Sequence, residues 1–201
     1  MTTAAREIAP AKLNLALHVR GKLSDGRHSI ETIFAFCTDG DRLSAENSDD
    51  FSLAATRPFA GELGDAEDNL VMKAALALAD KAGVARGARM TLDKQLPVAS
   101  GIGGGSADAA AALRLLTSLW NVDPRHAEAV APELGSDVPA CLLSLPARGE
   151  RAGDRLTLVD LSDLAGTPVL LVNPRVALST ADVFARWDGV DRGPLGDWRG
   201  G

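Results

Sequence analysis

The chain has 201 residues, 46% hydrophobic and 24% charged, with a net charge of −6. That length suits one large domain or two small ones, and the composition is that of an ordinary folded protein. There is no basic stripe of the kind that binds nucleic acid, no apolar run long enough to span a bilayer, and no apolar core of a secretory signal in MTTAAREIAP. Cys37 and Cys141 lie in apolar segments without metal-ligand spacing, so two buried thiols in a reducing, cytoplasmic compartment are expected, and no protein-held metal.

In chain order, residues 11–20, AKLNLALHVR, alternate. Leu13, Leu15, Leu17 and Val19 share one face and Lys12, Asn14, Ala16 and His18 the other, which predicts a half-buried strand. SDGRHS (24–29) is turn chemistry centred on Asp25-Gly26, and SIETIFAFC (29–37) reads as a strand buried on both faces. TDGD (38–41) predicts a second turn, with short strands near 42–46 and 51–55. DNLVMKAALALADKAG (68–83) predicts a helix capped by Asp68 or Asn69, ended by Gly83, with Leu70, Ala74, Ala77 and Leu78 on one face. ARMTLDK (88–94) is a strand whose Asp93-Lys94 end reads as solvated.

A glycine-rich stretch then leads into a helix from about Ser106 to Trp120, and Asp123 caps another with Pro124 in its first turn, where a missing N–H costs nothing. SDVPACLLSL (136–145) reads as a turn into a strand. Beyond about residue 147 strands are expected near 155–160 and 168–172. A short helix follows, opened by the capping-box sequence STAD (179–182), and then a polar, unpatterned tail. His18 and His126 read as surface or strand-face residues, and Trp120, Trp187 and Trp198 mark no site. Strands first and mixed elements later imply an α+β fold, with residues 1–147 as one domain and 148–201 as the start of a second, partly present one.

The stretch PVASGIGGGSADAAAAL (97–113) joins a loop of small residues to a strong helix former. Helix N-termini leave backbone N–H groups unpaired and carry partial positive charge, and glycines let that backbone wrap an anion closely. Phosphate is the natural guest. A Walker A loop needs Gly-Lys-Ser/Thr where this chain has Gly105-Ser106-Ala107, and a Gly-x-Gly-x-x-Gly fingerprint fails at Ser106 or Asp108. A tight turn against a close-packed helix is the other reading of the loop alone. Lys12 by itself is a solvated charge, and Asp137 by itself caps a turn. Together with the loop they supply a cation, an anion cradle and a carboxylate, the set that phosphoryl transfer requires.

The ordered motifs PAKLNL (10–15), PVASGIGGGS (97–106) and LGSDVP (134–139) resemble those of the GHMP kinases. SDGRHSIETIF (24–34), DNLVMKAALAL (68–78) and VNPRVALSTADVF (172–184) are similar, more narrowly, to the branch whose substrate is a cytidine-diphosphate-linked methylerythritol. The resemblance implies a GHMP kinase fold, an N-terminal ATP-binding domain and an incomplete C-terminal α+β substrate domain. It also implies ATP with Mg2+ as cofactors and phosphorylation of the substrate's 2-hydroxyl on the non-mevalonate isoprenoid route. Asp137 would orient the hydroxyl, and Lys12 would hold Asp137 and screen the phosphoryl group. Asn14 would share their cleft. Pro97, Gly101, Ile102, Gly103, Gly104, Gly105 and Ser106 would wrap the phosphates, and Asn69 would lie near the adenine or ribose. His28 and Phe184 would contact the cytidine end.

The chain departs from the family at Arg27, where a tyrosine is expected, at Ala107, where a second serine is frequent, and in RGERAGD (148–154). A guanidinium plane stacks on a base as well, so Arg27 is kept as a substrate-binding residue. The family also carries a further C-terminal portion, so the sequence reads as truncated at Gly201. The expected partners are the small substrate alone, with neither nucleic acid nor membrane, in a monomer or weak homodimer. The alternatives are another GHMP small-molecule kinase, or a nucleotide-binding fragment without catalysis.

Overall fold

The computed structural model describes residues 5–173 and 180–197. Six strands form one sheet in the order β3-β4-β2-β5-β6, with β1 also paired to β2. They are β1 (Ala5–Lys22), β2 (His28–Ser48), β3 (Ser52–Thr56), β4 (Gly87–Asp93), β5 (Ala147–Arg151) and β6 (Arg155–Leu158). The pairings are antiparallel except β3 with β4. The helices are α1 (Leu70–Ala82), α2 (Gly104–Trp120), α3 (Pro124–Leu134), α4 (Val138–Leu143) and α5 (Thr180–Ala185).

Helix α2 is the centre of the core. Ala107, Ala109, Ala110, Ala111 and Ala112 are all buried, and the helix packs against β1, β2, α1, α3 and α4. Alanine serves twice here: it has the best helix propensity, and its small side chain lets five neighbours approach one helix. Leu113 and Leu116 of α2, Leu43 of β2, and Met90 and Leu92 of β4 fill the space between helix and sheet. Arg114 on α2 donates to Glu7 Oε1 (2.8 Å) and the Ile8 carbonyl (2.8 Å) of β1, and to the Cys141 carbonyl (2.8 Å) of α4. One side chain thus fixes three elements relative to one another.

The cap chemistry read from the sequence is found. Val71 N–H donates to Asn69 Oδ1 at 2.9 Å, Gly83 ends α1 with a left-handed φ of 66°, and Arg125 N–H donates to Asp123 Oδ1 at 2.9 Å. The helix over 180–185 is also present. Of its expected capping box, Ser179 lies outside the described residues, as do the rest of 174–179 in VNPRVALSTADVF and Trp198.

Several expectations are corrected. TDGD forms no turn: β2 runs unbroken through residues 38–41, with Gly40 opposite Pro10 and Asp41 opposite Ala9. Its apparent turn residues serve packing instead. A Cβ at Gly40 would lie 2.7 Å from Pro10 Cα and run into the Ala9 carbonyl, and the Asp41 carboxylate is taken up by partners far along the chain. SDVPACLL forms α4 rather than a strand. Pro139 sits in its first turn, where proline fits, and Val138, Ala140 and Cys141 are buried.

The expected leucine face of β1 is broken. The register against β2 shifts between Pro10 and Lys12, where β2 carries two extra residues, and again between Asn14 and Ala16 and between Val19 and Gly21, where β1 carries one extra residue and its faces exchange. Ala11 and Lys12 are consequently both buried, while Leu15 and Leu17 are exposed. Residues 168–172 make no strand and leave Leu170 and Val172 exposed. The tail is not without structure, since Asp191 pairs with Arg20 (2.7 Å), the Gly193 carbonyl meets His18 Nδ1 (2.9 Å) and Leu195 N–H donates to buried Glu31 (2.8 Å). The division expected at 147 falls at the start of β5, whose pairing to β2 carries the same sheet on to Leu158.

Because β1 and β2 leave no room beside Gly40, Gly40→Val is expected to lower unfolding stability by about 1–3 kcal/mol in urea denaturation. An unchanged midpoint contradicts this close-packing account.

Candidate functional site

The loop between β4 and α2 is set directly on β1. Lys12 N–H donates to the Ile102 carbonyl at 2.9 Å, and Gly103 (φ 67°) lies so close that a Cβ there would meet Lys12 Cε at 2.9 Å. Ser100 Oγ donates to the Pro97 carbonyl (2.7 Å) and closes the preceding turn. No side chain caps α2, whose N-cap is Gly103, so the amides of its first turn have no side-chain partner.

Lys12 is only 3% exposed, and its Nζ lies 3.3 Å from Asp137 Oδ2, on a side chain 36% exposed. Asp137 holds the N-cap position of α4 but its carboxylate caps nothing, so it remains available to the lysine and to the cleft. Lys12 Nζ also donates to Asn14 Oδ1 (2.8 Å) and sits 5.0 Å from the centroid of the Phe34 ring. Asn14 Nδ2 donates in turn to Thr32 Oγ1 (2.7 Å), and Thr32 Oγ1 to the Ala16 carbonyl (2.7 Å). The buried Thr32 hydroxyl therefore fixes which way the Asn14 amide points, and Asn14 fixes the ammonium.

These groups open into a cleft of about 510 Å3 whose walls include Lys12, Asn14, Arg27, His28, Gly101, Asp137 and Phe184. His28 and Phe184 stack with centroids 5.0 Å apart and planes at 23°, and Trp187 meets His28 edge-on at 5.7 Å. Arg27 is tethered by Asp25 through Nε–Oδ2 (2.8 Å), and that hydrogen bond holds the Asp25 carboxyl below its ordinary range. Asn69, Pro97, Gly104 and Gly105 line a smaller adjoining cavity of about 190 Å3. Ser106 follows in the first turn of α2. A separate hollow of about 520 Å3 beside Asp49, Arg86 and Trp120 holds none of the predicted residues.

The sequence reading passed over several participants. Lys94 is not a solvated strand end: it is 2% exposed, with Nζ 2.5 Å from Asp41 Oδ2 and 2.7 Å from Asp108 Oδ2. Trp187, assigned no site, joins the His28–Phe184 pair. Phe184, expected at the cytidine end, stands half-buried on the cleft wall. The available signal for Lys94 was a charge at a strand end directly before the glycine loop. Pairing it with Asp41 and Asp108 needed the tertiary fold. Burial pushes the Cys141 thiol up to about 12, which fits an inert core cysteine.

The family model for the GHMP kinases N terminal domain matches residues 69–144. A 4-diphosphocytidyl-2-C-methyl-D-erythritol kinase of Rhizorhabdus wittichii is 56% identical over 194 residues, covering 94% of this chain and 66% of that protein. One from Sphingopyxis alaskensis is 44% identical, covering 97% of this chain and 70% of its own. This chain belongs to the GHMP kinase family, in the branch of the 4-diphosphocytidyl-2-C-methyl-D-erythritol kinases. A crystal structure of a 4-(cytidine 5'-diphospho)-2C-methyl-D-erythritol kinase superimposes with a TM-score of 0.64 at 37% identity, over 78% of this chain and 55% of that one. The homoserine kinase from Cytophaga hutchinsonii, at 22% identity and a TM-score of 0.56, shares the fold. The α+β GHMP kinase fold expected from the motifs is thus the fold found. The chain spans about two thirds of the length of the curated relatives it matches.

Burial raises the Asp108 carboxyl to about 7, against the opposing pull of Lys94. The folded chain then keeps a proton that the unfolded chain releases near 3.8. Stability is expected to fall as pH rises from about 4 to about 7 and to level off above that. Asp108→Asn should flatten this slope in urea midpoints taken across the window, and an unaltered slope contradicts the assignment.

Proposed function

We propose that this chain forms the ATP-binding and phosphoryl-transfer part of a kinase that phosphorylates the 2-hydroxyl of 4-diphosphocytidyl-2-C-methyl-D-erythritol. The observation that carries this reading is the Lys12–Asp137 pair at 3.3 Å, in one cleft with Gly101 of the glycine loop. Family membership supports it, as does the aromatic cluster at the far wall of that cleft.

In this reading the amides from Gly101 to Ser106 bind the polyphosphate, as helix N-termini do. Asp137 accepts a hydrogen bond from the substrate hydroxyl and takes its proton as the oxygen bonds to the γ-phosphorus of ATP. The bond from that phosphorus to the bridging oxygen breaks, and ADP leaves. Lys12 holds Asp137 in place and offsets charge on the transferred group. With a loose transition state, positioning and electrostatics do most of the work. Asn14 and Thr32 keep the ammonium on line.

The donors suited to Mg2+ here are oxygens, the Asp137 carboxylate and the Ser106 hydroxyl. Among the described residues no group of three or more His, Cys, Asp or Glu side chains comes together. The ion would therefore ride mainly on the phosphates, neutralising their charge.

The cytidine end is assigned to Arg27, His28 and Phe184, with Trp187 behind them. At 5.0 Å the His28 and Phe184 rings touch, so a base stacks on the outside of the pair or parts it. Asn69 is assigned to the nucleoside of ATP, beside the smaller cavity. The domain division proposed from the sequence is 1–147 as the nucleotide-binding unit and 148–201 as the start of the substrate domain, although β5 and β6 continue the first unit's sheet. Among the described residues no helix is long and apolar enough to cross a membrane; the proposed enzyme is cytoplasmic.

Asp137→Asn is expected to lower kcat by about 10²–10⁴-fold in a coupled ATP assay while leaving KM for ATP within a few-fold. Full turnover by this variant removes Asp137 from the role. Preference for mevalonate or homoserine over the cytidylyl substrate moves the chain to another branch, and tight binding of a non-hydrolysable ATP analogue without turnover leaves it a binding module.

A further inference from the structure

The glycine loop and the first turn of α2 rest on a buried charge cluster that phosphoryl transfer does not use. Lys94 stands one residue beyond β4. Its ammonium bridges Asp41 on β2 (2.5 Å) and Asp108 on α2 (2.7 Å), and all three side chains are almost fully buried. Asp41 is itself pinned, because its Oδ1 accepts from the N–H groups of Gln95 (2.5 Å) and Leu96 (2.7 Å), the first residues of the loop. Lys94 Nζ also lies directly under the helix start: a Cβ on Gly104 would come within 3.1 Å of it.

An ammonium so enclosed is no phosphate ligand. It is held by the Asp41 carboxylate and by the Asp108 carboxyl group, which ionises near pH 7, and although it borders the small cavity beside Asn69 and Pro97 it is 2% exposed. What it does is mechanical. It joins the sheet, the root of the loop and the second turn of α2 through short charge-assisted bonds, which are both stronger and more directional than neutral ones. It also occupies the space into which the first turn of α2 would otherwise sink.

We propose that Lys94 is a positioning residue, a strut clamped by Asp41 and Asp108 that sets the height and direction of the amides from Gly103 to Ser106. The inference rests on the reading of those amides as the nucleotide cradle. It adds a device that tunes nucleotide affinity from beneath the loop, outside the acceptor cleft. Its effect falls on nucleotide binding and not on the chemistry at Asp137, because Lys94 touches neither Asp137 nor Lys12.

The test compares wild type with Lys94→Met and with the double variant Lys94→Met/Asp108→Asn, which strands less buried charge if the single variant does not fold. Two readouts are taken on the full chain. The first is amide hydrogen exchange without nucleotide. Exchange at Ala107–Ala109 should rise about tenfold while Leu113–Trp120 stays unchanged. The second is affinity for a non-hydrolysable ATP analogue, which should weaken about tenfold, with KM for the acceptor substrate and kcat within about twofold.

Unchanged exchange at the head of α2 overturns the strut, and a rise along the whole helix reduces Lys94 to general stability and also overturns it. Local loosening with undiminished nucleotide affinity overturns its functional part. Failure of wild type to bind the analogue instead removes the kinase reading, while the exchange experiment still judges the strut.

Discussion

The contact between β1 at Lys12 and the head of α2 sets the rest of the structure. Opposite Pro10–Lys12 the partner strand β2 carries two extra residues; at this irregularity Lys12 points inward, its backbone N–H grips the Ile102 carbonyl, and its side chain fills the space that any residue larger than glycine at 103 would need. A lysine is costly to bury, and this one is made tolerable by Asp137, Asn14 and the Phe34 ring. The same arrangement delivers an exposed carboxylate beside a row of unpaired amides. The alanine-rich body of α2 makes the approach possible, because a helix of larger side chains would stand farther from the sheet.

Two buried cations flank the loop, and they differ in kind. Lys12 faces the cleft and is offset by one half-exposed carboxylate, so part of its field reaches a ligand. Lys94 lies beneath and is offset by two buried carboxylates, so its field is spent inside the protein.

Local chemistry was legible in the sequence wherever a residue's partners lie close along the chain. Asn69 capping Val71, Asp123 capping Arg125 and Gly83 closing α1 are all satisfied within a few residues; Asp123 and Gly83 were read as such, and Asn69 was one of the two caps expected. The same reading failed where partners are distant. Asp41 looked like turn chemistry but is held by Lys94 and by amides more than fifty residues away, and Lys94 looked solvated for want of a visible partner. Strict alternation in β1 misled because bulges are invisible to a period-two pattern. SDVPACLL read as a strand because a buried six-residue helix presents an unbroken apolar run. The site residues Lys12, Asn14, Gly101 and Asp137 came from ordered motifs, and the fold gathers them in one cleft. Thr32 carried no such signal, since a strand read as buried on both faces gives a hydroxyl no mark of its role.

The central claim is that unpaired amides at the head of α2 hold a nucleotide's polyphosphate next to Lys12 and Asp137. The most direct measurement is a backbone-amide NMR titration with a non-hydrolysable ATP analogue. The account predicts the largest shifts at Gly101–Ser106, with smaller ones at Lys12 and Asp137. Shifts concentrated instead at the hollow around Asp49, Arg86 and Trp120, with the glycine loop unmoved, would contradict it.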